Sequence, residues 1–129
     1  MNSSFQKREL SGTTVIDAEG EMTLLQGRIE LGKEIRSVTS GNLLINFMKV
    51  KFIDSSVVGG LLDGFLCTTG RNNKFALCSI ENVVSYNGRS MIKLLELSQL
   101  SSVLKVYADE ASAIQAFHAC ECCGQKLPR

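Results

Sequence analysis

The sequence predicts one α/β domain with a mostly parallel central sheet, an antiparallel edge strand and about four helices. Strand-like apolar segments alternate along the chain with segments whose apolar residues recur at helical spacing. This order is typical of parallel sheets covered by helices. Residues 43–45 are wholly apolar, as expected of a central strand buried on both faces. The length of 129 residues fits a single domain.

The first half of the chain supplies the predicted edge and the centre of the sheet. The predicted strands here are residues 5–10, 13–19 and 43–45, and the predicted helices are residues 24–38 and a segment from residue 55 or 56 to residue 69. Only Ser11 and Gly12 separate the first two strands, so they should form a hairpin, which gives the antiparallel edge. Ser40 and Gly41 end the first helix.

The second half of the chain continues the alternation of predicted strands and helices. Its predicted strands are residues 74–78 and 104–107, and its predicted helices are residues 90–97 and 109–117. Residues 81–87 are expected to be an inserted loop or a helical extension. After Phe117 the composition changes to His118 and a group of cysteines. We therefore divide the chain into a domain at 1–117 and a flexible, cysteine-containing tail at 118–129.

Composition excludes several classes of function. The net charge is +1, which gives no basic footprint for nucleic acid or an anionic membrane. The most apolar run, residues 57–66, contains Asp63 and three glycines and is too short to cross a bilayer. The N-terminus is polar and carries no secretory signal. Five cysteines, an odd number, argue against a disulfide framework and favour a reducing cytoplasm.

Asp54, Ser55 and Ser56 form the most informative junction in the chain. They follow a buried strand with its connector and precede a run of small apolar residues that begins a helix. Aspartate and serine are good N-caps, because their oxygens accept bonds from the unpaired N–H groups of the first turn. The same N–H groups favour a negative charge, so a serine there is a plausible seat for a phosphate. From these residues alone, simple capping is the better interpretation.

Other chemistry-bearing residues give weaker signals. His118, Cys120, Cys122 and Cys123 offer metal-ligand atoms, but their spacing is not that of a zinc knuckle and we predict no metal site. The glycines at 59, 60 and 64 either open a helix face to a partner or pack closely on the sheet. The sequence lacks the residues needed for nucleophilic hydrolysis, since the one histidine lies in the tail and no Gly-x-Ser-x-Gly motif is present. We therefore expect no enzyme activity.

Four segments, in order, resemble the STAS family, the domain of bacterial anti-sigma factor antagonists. The family carries Phe/Met/Ile-Asp-Ser-Ser/Thr-Gly-Leu-Gly after a hydrophobic strand, and this chain has Phe-Ile-Asp-Ser-Ser-Val-Val-Gly at 52–59. Residues 15–22 resemble the family's strand ending in Gly-Glu-Leu/Ile. Residues 94–100 resemble its late helix and turn, and residues 108–117 its final helix. The resemblance spans residues 5–117 and implies a STAS-like fold.

The resemblance also implies which residues matter. The family's modified residue is the first hydroxyl after the aspartate, which is Ser55, and Asp54 and Ser56 would support it as a loop anchor and a capping hydroxyl. The implied partner-binding residues are Gly20, Glu21, Thr23, Val57, Val58, Gly59 and Gly60. Two departures stand out. Val57 and Val58 replace the family's Gly-Leu, and Thr23 replaces an acidic residue. These departures leave two alternatives open: an altered choice of partner, or a member of the family that is no longer phosphorylated.

By the same resemblance, the chain is an anti-sigma factor antagonist switched by phosphorylation. Its implied partner is an anti-sigma factor with a histidine-kinase-like ATPase domain, which binds unphosphorylated Ser55, phosphorylates it and is then released. A phosphatase reverses the modification. The ATP belongs to the partner, so no cofactor is expected, and a homodimer stays open. The alternatives are a STAS subunit of a stressosome or lipid-transport complex, and a small-ligand or redox domain that uses the cysteine tail.

Overall fold

The structure of the chain, a computed structural model, describes residues 3–22, 24–85 and 88–126. Within these residues a six-stranded sheet is combined with four helices and one short 3-10 turn. The strands are β1 (Ser3–Leu10), β2 (Thr13–Met22), β3 (Asn42–Ile53), β4 (Phe75–Cys78), β5 (Val84–Ser85) and β6 (Lys105–Tyr107). The helices are α1 (Leu24–Arg36), α2 (Ser55–Gly70), α3 (Met91–Leu97) and α4 (Glu110–Lys126), and the 3-10 turn is Leu100–Ser102.

The sheet confirms the predicted fold class. Its strand order is β1-β2-β3-β4-β6, and β5 pairs with the end of β3 beside this path. β1 is antiparallel to β2, and every other pairing is parallel. The hairpin turn at Ser11 and Gly12 has positive φ at both residues, 52° and 81°, which suits a two-residue connection between twisted strands. The antiparallel edge is therefore β1.

β3 is much longer than the predicted strand at 43–45. It has 12 residues, because the segment interpreted as a connector continues the strand to Ile53. Its register against β2 shifts twice, between the pairs formed by Asp17 and Glu19 and again between those of Gly20 and Glu21. Each shift inserts an extra residue and interrupts the alternation of buried and exposed side chains. Residues 81–87, expected as a loop or a helical extension, contain the short strand β5.

The core has two layers, one on each face of the sheet. One layer joins α1, α2 and α3 to the strands through fully buried side chains such as Leu31, Leu61, Leu95 and Phe47. The other is smaller and joins α4 to the strands; its members are Val15, Leu44, Ala76, Cys78, Ala113 and Phe117. α4 runs to Lys126, so the helix is longer than the sequence predicted. The division of the chain at residue 117 stays a prediction.

α1 and α2 lie side by side with their N-termini at the same end. A Cβ atom built on Gly60 would lie 3.3 Å from Arg28 Cγ and 3.7 Å from Leu31 Cδ2. One turn further, a Cβ on Gly64 would lie 2.9 Å from Ile35 Cδ1 and 3.0 Å from the Phe75 ring. These glycines therefore bring α2 close to α1, and Gly64 also brings it close to β4. At Gly64 the structure bears out the alternative of close packing on the sheet, whereas Gly60 packs closely on α1.

An ion-pair network ties the edge hairpin to α4. Arg8 Nε donates to Asp17 Oδ2 at 2.5 Å, and Arg8 Nη2 donates to Glu110 Oε1 at 2.5 Å. Asn46 Nδ2 on β3 donates to Asp17 Oδ1 at 3.1 Å. The guanidinium of Arg8 holds the pKa of the Asp17 carboxyl below its usual value, with a further contribution from Asn46. Asp17 is therefore linked to both the edge strand and the central strand.

Acid is expected to destabilise the protein through Asp17. A carboxyl whose pKa is lower in the folded chain than in the unfolded chain stabilises the fold above the unfolded value, here near 3.8. That stabilisation is lost as the pH falls through the folded value. Asp17→Asn should therefore lower the free energy of unfolding at pH 7 and flatten its decline below about pH 5, as measured by urea denaturation across pH.

The matched control for this prediction is Glu9→Gln. Glu9 is an exposed carboxylate on the same hairpin, and it makes no ion pair with another residue that the structure describes. The Glu9→Gln variant should show nearly the same dependence of the free energy of unfolding on pH as the parent protein. An unaltered acid slope in Asp17→Asn would contradict the role assigned to this network.

Candidate functional site

The candidate site lies where three neighbouring strands end. β2 and β5 pair in parallel with β3 on its two sides, at Met22 with Ile53 and at Ser85 with Ile53. The Asp54 N–H donates to the Met22 carbonyl oxygen at 3.2 Å, which fixes the start of the β3–α2 connection against β2. Sites of parallel sheets usually form at such carboxyl ends, because the loops and helix N-termini converge there.

Asp54 caps α2. Its backbone is extended, with φ −118° and ψ 177°, and its Oδ1 atom accepts a hydrogen bond from the Ser56 N–H at 3.0 Å. The Ser56 hydroxyl donates to the same carboxylate oxygen at 2.5 Å. The interpretation of Ser56 as the capping hydroxyl was therefore wrong in detail: Ser56 holds the capping carboxylate instead of accepting a bond from the first turn. The reason is position, since an N-cap lies before the first helical residue.

Ser55 is the first residue of α2 and it is exposed. Its hydroxyl makes no hydrogen bond with any other residue that the structure describes, whereas its two neighbours are bonded to each other. The junction therefore presents one accessible hydroxyl on a rigidly held backbone. The first-turn N–H groups and the helix dipole would stabilise negative charge at this position.

Gly20 and Glu21 lie beside this junction, near the C-terminal end of strand β2. They pair with Val50 and Phe52 of β3, and both are half-buried. Gly20 has φ 101°, a conformation that favours glycine and lies next to the second register shift. Together with Glu19, Lys49 and Lys51 these two residues line a shallow cleft of about 360 Å³. Thr23, the third residue predicted here, lies outside the described residues.

Three of the predicted partner-binding residues are not accessible. Val57 is 0% exposed, Val58 is 7% exposed and Gly60 is buried. They form the face of α2 that packs on the sheet and on α1, so the prediction of direct partner contact through them was wrong. Gly59 is half-buried and faces Arg28. Of the predicted α2 residues, Ser55 and Gly59 are the ones left on the accessible side.

Arg28 is the residue that sequence reasoning missed. Its side chain crosses α2 at Gly59, where a Cβ atom would lie 3.3 Å from the guanidinium carbon. Its Nη2 atom donates to Asp63 Oδ2 at 3.2 Å, and the Arg28 and Asp63 side chains are 42% and 64% exposed. Residues four apart on a helix are neighbours, so Ser55, Gly59 and Asp63 mark successive turns of α2. Arg28 therefore lies against α2 at Gly59, one helical turn after Ser55 in the sequence of α2.

The described cysteines do not form a redox centre. Cys67 is exposed, Cys78 is buried and both are free. Burial raises the pKa of the Cys78 thiol to about 11, which keeps it protonated at neutral pH. The described residues hold no group of three or more metal-ligating side chains. The side chains of Cys120, Cys122 and Cys123 are not among the side chains that the structure describes.

Among the described helices, none has both the length and the apolar character that a membrane span requires.

Comparison with known proteins gives similarity at the level of the fold. No family model and no curated protein matches the chain. An anti-sigma factor antagonist from Mycobacterium paratuberculosis is 16% identical, with a TM-score of 0.72 over 90% of this chain and 94% of its own. An anti-sigma-factor antagonist (STAS) domain protein from Planctomyces limnophilus is 19% identical, with a TM-score of 0.69 over 88% and 97%.

A third solved structure adds a phosphorylated protein to the comparison. The Bacillus cell fate determinant SpoIIAA in its phosphorylated form is 24% identical, with a TM-score of 0.61 over 87% of this chain and 97% of its own. In each of the three comparisons the alignment covers most of this chain and most of the compared chain. The resemblance noted in the sequence thus extends to the whole architecture, and this chain has the STAS fold of the anti-sigma factor antagonists.

Proposed function

We propose that this protein is an anti-sigma factor antagonist whose binding to its partner is switched by phosphorylation of Ser55. Unphosphorylated, it binds an anti-sigma factor with a histidine-kinase-like ATPase domain. That partner transfers a phosphate to Ser55 and is released, and a phosphatase restores the binding form. The ATP comes with the partner, so the chain itself needs no cofactor. The setting of this cycle is the cytoplasm of a bacterium, and the chain acts by binding and not by catalysis.

The state of the three side chains at the start of α2 carries this proposal. Asp54 and Ser56 are bonded to each other, and Ser55 alone offers an exposed hydroxyl. A hydroxyl must be accessible to a kinase to be phosphorylated, and the Ser55 hydroxyl meets this condition. The fold supports the same interpretation, because SpoIIAA, which shares it, exists in a phosphorylated and an unphosphorylated form.

The proposed partner surface is smaller than the sequence suggested. It comprises Ser55, Gly59, Gly20 and Glu21, with Thr23 retained as a prediction. The hydrogen bond between the Asp54 N–H and the Met22 carbonyl oxygen joins the end of β2 to the start of α2. Gly20 and Glu21 lie on the first of these segments, and Ser55 and Gly59 lie on the second. A partner that covers Ser55 would therefore also meet the end of β2. Val57, Val58 and Gly60 contribute by holding α2 in place.

Mass spectrometry of the protein after incubation with its cognate kinase and ATP tests the proposal. We expect one phosphate, located on Ser55 and absent from Ser55→Ala. Ser56→Ala is the matched control, since it removes the neighbouring hydroxyl but leaves the Asp54 carboxylate free to accept from the N–H of residue 56. It should still be phosphorylated. A phosphate found only on Ser56, or none with a kinase of demonstrated activity, would overturn the assignment.

Arg28 is expected to contact the phosphate once it is present. An exposed arginine–aspartate pair contributes about 0–1 kcal/mol, whereas a phosphate has nearly two charges and can accept bidentate bonds from a guanidinium. Arg28 should then leave Asp63 for the phosphate one turn away. In protein made with phosphoserine incorporated at position 55, Arg28→Gln should raise the second pKa of the phosphate by roughly half a unit, measured by phosphorus NMR.

Arg36→Gln is the control for the Arg28 measurement. Arg36 lies on the same helix two turns further on, where its side chain covers Gly32, and its loss changes the net charge equally. It should leave the phosphate pKa almost unchanged. Equal shifts in the two variants would show a general charge effect and no contact with Arg28.

A further inference from the structure

β6 is an open edge of the sheet. Among the described residues it pairs with β4 on one side and with no strand on the other. It has three residues, Lys105 to Tyr107, and the first two are exposed. Unpaired strand edges are templates for pairing with another chain. What such an edge can bind depends on its backbone direction, its apolar surface and its charges.

The backbone groups of Val106 point away from the sheet. The Tyr107 carbonyl oxygen accepts from the Ser79 N–H at 3.1 Å, so the polar backbone groups of Tyr107 face β4. Backbone groups of successive strand residues face opposite sides, which directs the N–H and C=O of Val106 to the open edge. The Leu104 N–H is already bonded, to the Leu100 carbonyl oxygen at 2.8 Å. Val106 is therefore the residue through which β6 can add a strand.

Apolar side chains accompany this backbone position. Val106 is 39% exposed and Ile92 on α3 is 40% exposed. Both line a cleft of about 310 Å³ between α3, the 3-10 turn and β6, whose floor is formed by Ile80, Leu95 and Leu104. A strand added at Val106 would cover these side chains on one face of the extended sheet.

The charges beside Val106 complement those of a second copy of the same chain. Lys105 precedes Val106 and makes no ion pair with another described residue. Asp109 lies beyond the other end of β6 and caps α4 by accepting from the Ser112 N–H at 2.8 Å; it too has no cation partner among the described residues. In an antiparallel arrangement the basic end of each copy meets the acidic end of the other.

We propose that two copies of this chain join through β6, with a two-fold axis at Val106. Each Val106 N–H donates to the Val106 carbonyl oxygen of the second copy, which gives two hydrogen bonds. Lys105 then lies opposite Tyr107 of the second copy and diagonal to its Asp109, within reach of a long side chain. Val106 points to the face of the sheet opposite to that of Lys105. On that face, which α3 covers, the two Val106 side chains and the two Ile92 side chains meet.

The dimer should be weak, since a three-residue strand buries little surface and small interfaces are usually transient. It should also leave the Ser55 site free, because β6 is separated from β3 by β4. The proposal does not depend on phosphorylation or on an anti-sigma partner.

Disulfide trapping tests the position of the two-fold axis. Directly opposed hydrogen-bonded residues have Cα atoms about 5.5 Å apart, which is within the range that a disulfide spans. In a chain with Cys67, Cys120, Cys122 and Cys123 replaced by serine, Val106→Cys should form a covalent dimer under mild oxidation. Leu97→Cys, which is off the axis although Leu97 is more exposed than Val106 (55% against 39%), should do so at least tenfold more slowly. Equal rates for the two cysteines would overturn the proposal.

Sedimentation equilibrium of the unsubstituted chain gives the second test. We expect a reversible monomer–dimer equilibrium that Val106→Pro shifts to monomer, because proline removes the outward N–H and is tolerated at sheet edges. Val106→Lys should do the same if the proline variant loses its native circular dichroism spectrum. A chain that stays monomeric at millimolar concentration, or a dimer unaffected by both variants, would refute the pairing through β6.

Discussion

Phosphorylation of Ser55 is expected to weaken binding of the anti-sigma factor partner by well over tenfold. The modification adds nearly two negative charges at neutral pH. If the bound partner places a carboxylate about 6 Å away, the repulsion at an effective dielectric constant near 20 is about 5 kcal/mol before salt screening. Half of that energy still exceeds the 1.4 kcal/mol that corresponds to a factor of ten. The exposed position of Ser55 allows the phosphate to form without disturbing the Asp54–Ser56 cap.

Removal of the Ser55 hydroxyl alone should matter far less. An ordinary hydrogen bond contributes about 1 kcal/mol, and the hydroxyl of Ser55 makes none within the described chain. Ser55→Ala should therefore keep its affinity to within a few-fold and resist the kinase, and Ser55→Asp should bind poorly. Isothermal titration calorimetry with the purified partner measures the affinities of the unmodified protein, the phosphorylated protein and the two variants. Equal affinities for the phosphorylated and unmodified proteins would exclude Ser55 as the switch.

Gly64→Leu is expected to have the largest effect on stability. A Cβ atom at this position already lies 2.9 Å from Ile35 Cδ1 and 3.0 Å from the Phe75 ring, and leucine adds three more carbon atoms. Over-packing of a core typically costs about 1–3 kcal/mol and occasionally more. We expect about 3 kcal/mol here, since α2 would have to move away from both α1 and β4. Urea denaturation monitored by circular dichroism gives the free energy of unfolding.

Gly70→Ala is the matched control at the end of the same helix. Nothing lies within 4 Å of a Cβ atom built on Gly70. Replacing a helical glycine by alanine reduces the entropy of the unfolded chain and stabilises by about 0.4–1 kcal/mol where the conformation allows it. The two glycine substitutions should therefore change stability in opposite directions. A Gly64→Leu protein as stable as the parent would contradict the close contact between α1 and α2.

The sequence identifies the order of elements and the start of α2 because both depend on local signals. Alternating strand and helix patterns and the Asp-Ser-Ser junction can be read directly from the chain. The length of β3 cannot, because its register shifts expose Met48, Lys49 and Lys51 and hide the strand pattern. The end of α4 was placed too early for a related reason: the apolar pattern fades after Phe117 while the helix continues.

The composition of the candidate site was only partly predictable. Ser55 was found because the family resemblance and the helix start agree on it. Val57 and Val58 were assigned to the partner surface by their place in a motif, but burial depends on which face of α2 meets the sheet. Arg28 was missed because its position over Gly59 depends on the alignment of α1 with α2. That alignment is a tertiary property, and a single sequence carries no local signal for it.

The length and central place of β3 also bear on how the chain folds and aggregates. β3 pairs with β2, β4 and β5, so the sheet cannot form until this one strand is flanked by partners distant in sequence. Non-local pairing of this kind is slow. Until it is complete, the apolar segment around Leu43, Leu44 and Ile45 is exposed and has the composition of aggregation-prone strands. Loss of the β1–β2 hairpin would leave the edge of β3 that pairs with β2 uncovered, so we expect this hairpin to limit self-association during folding.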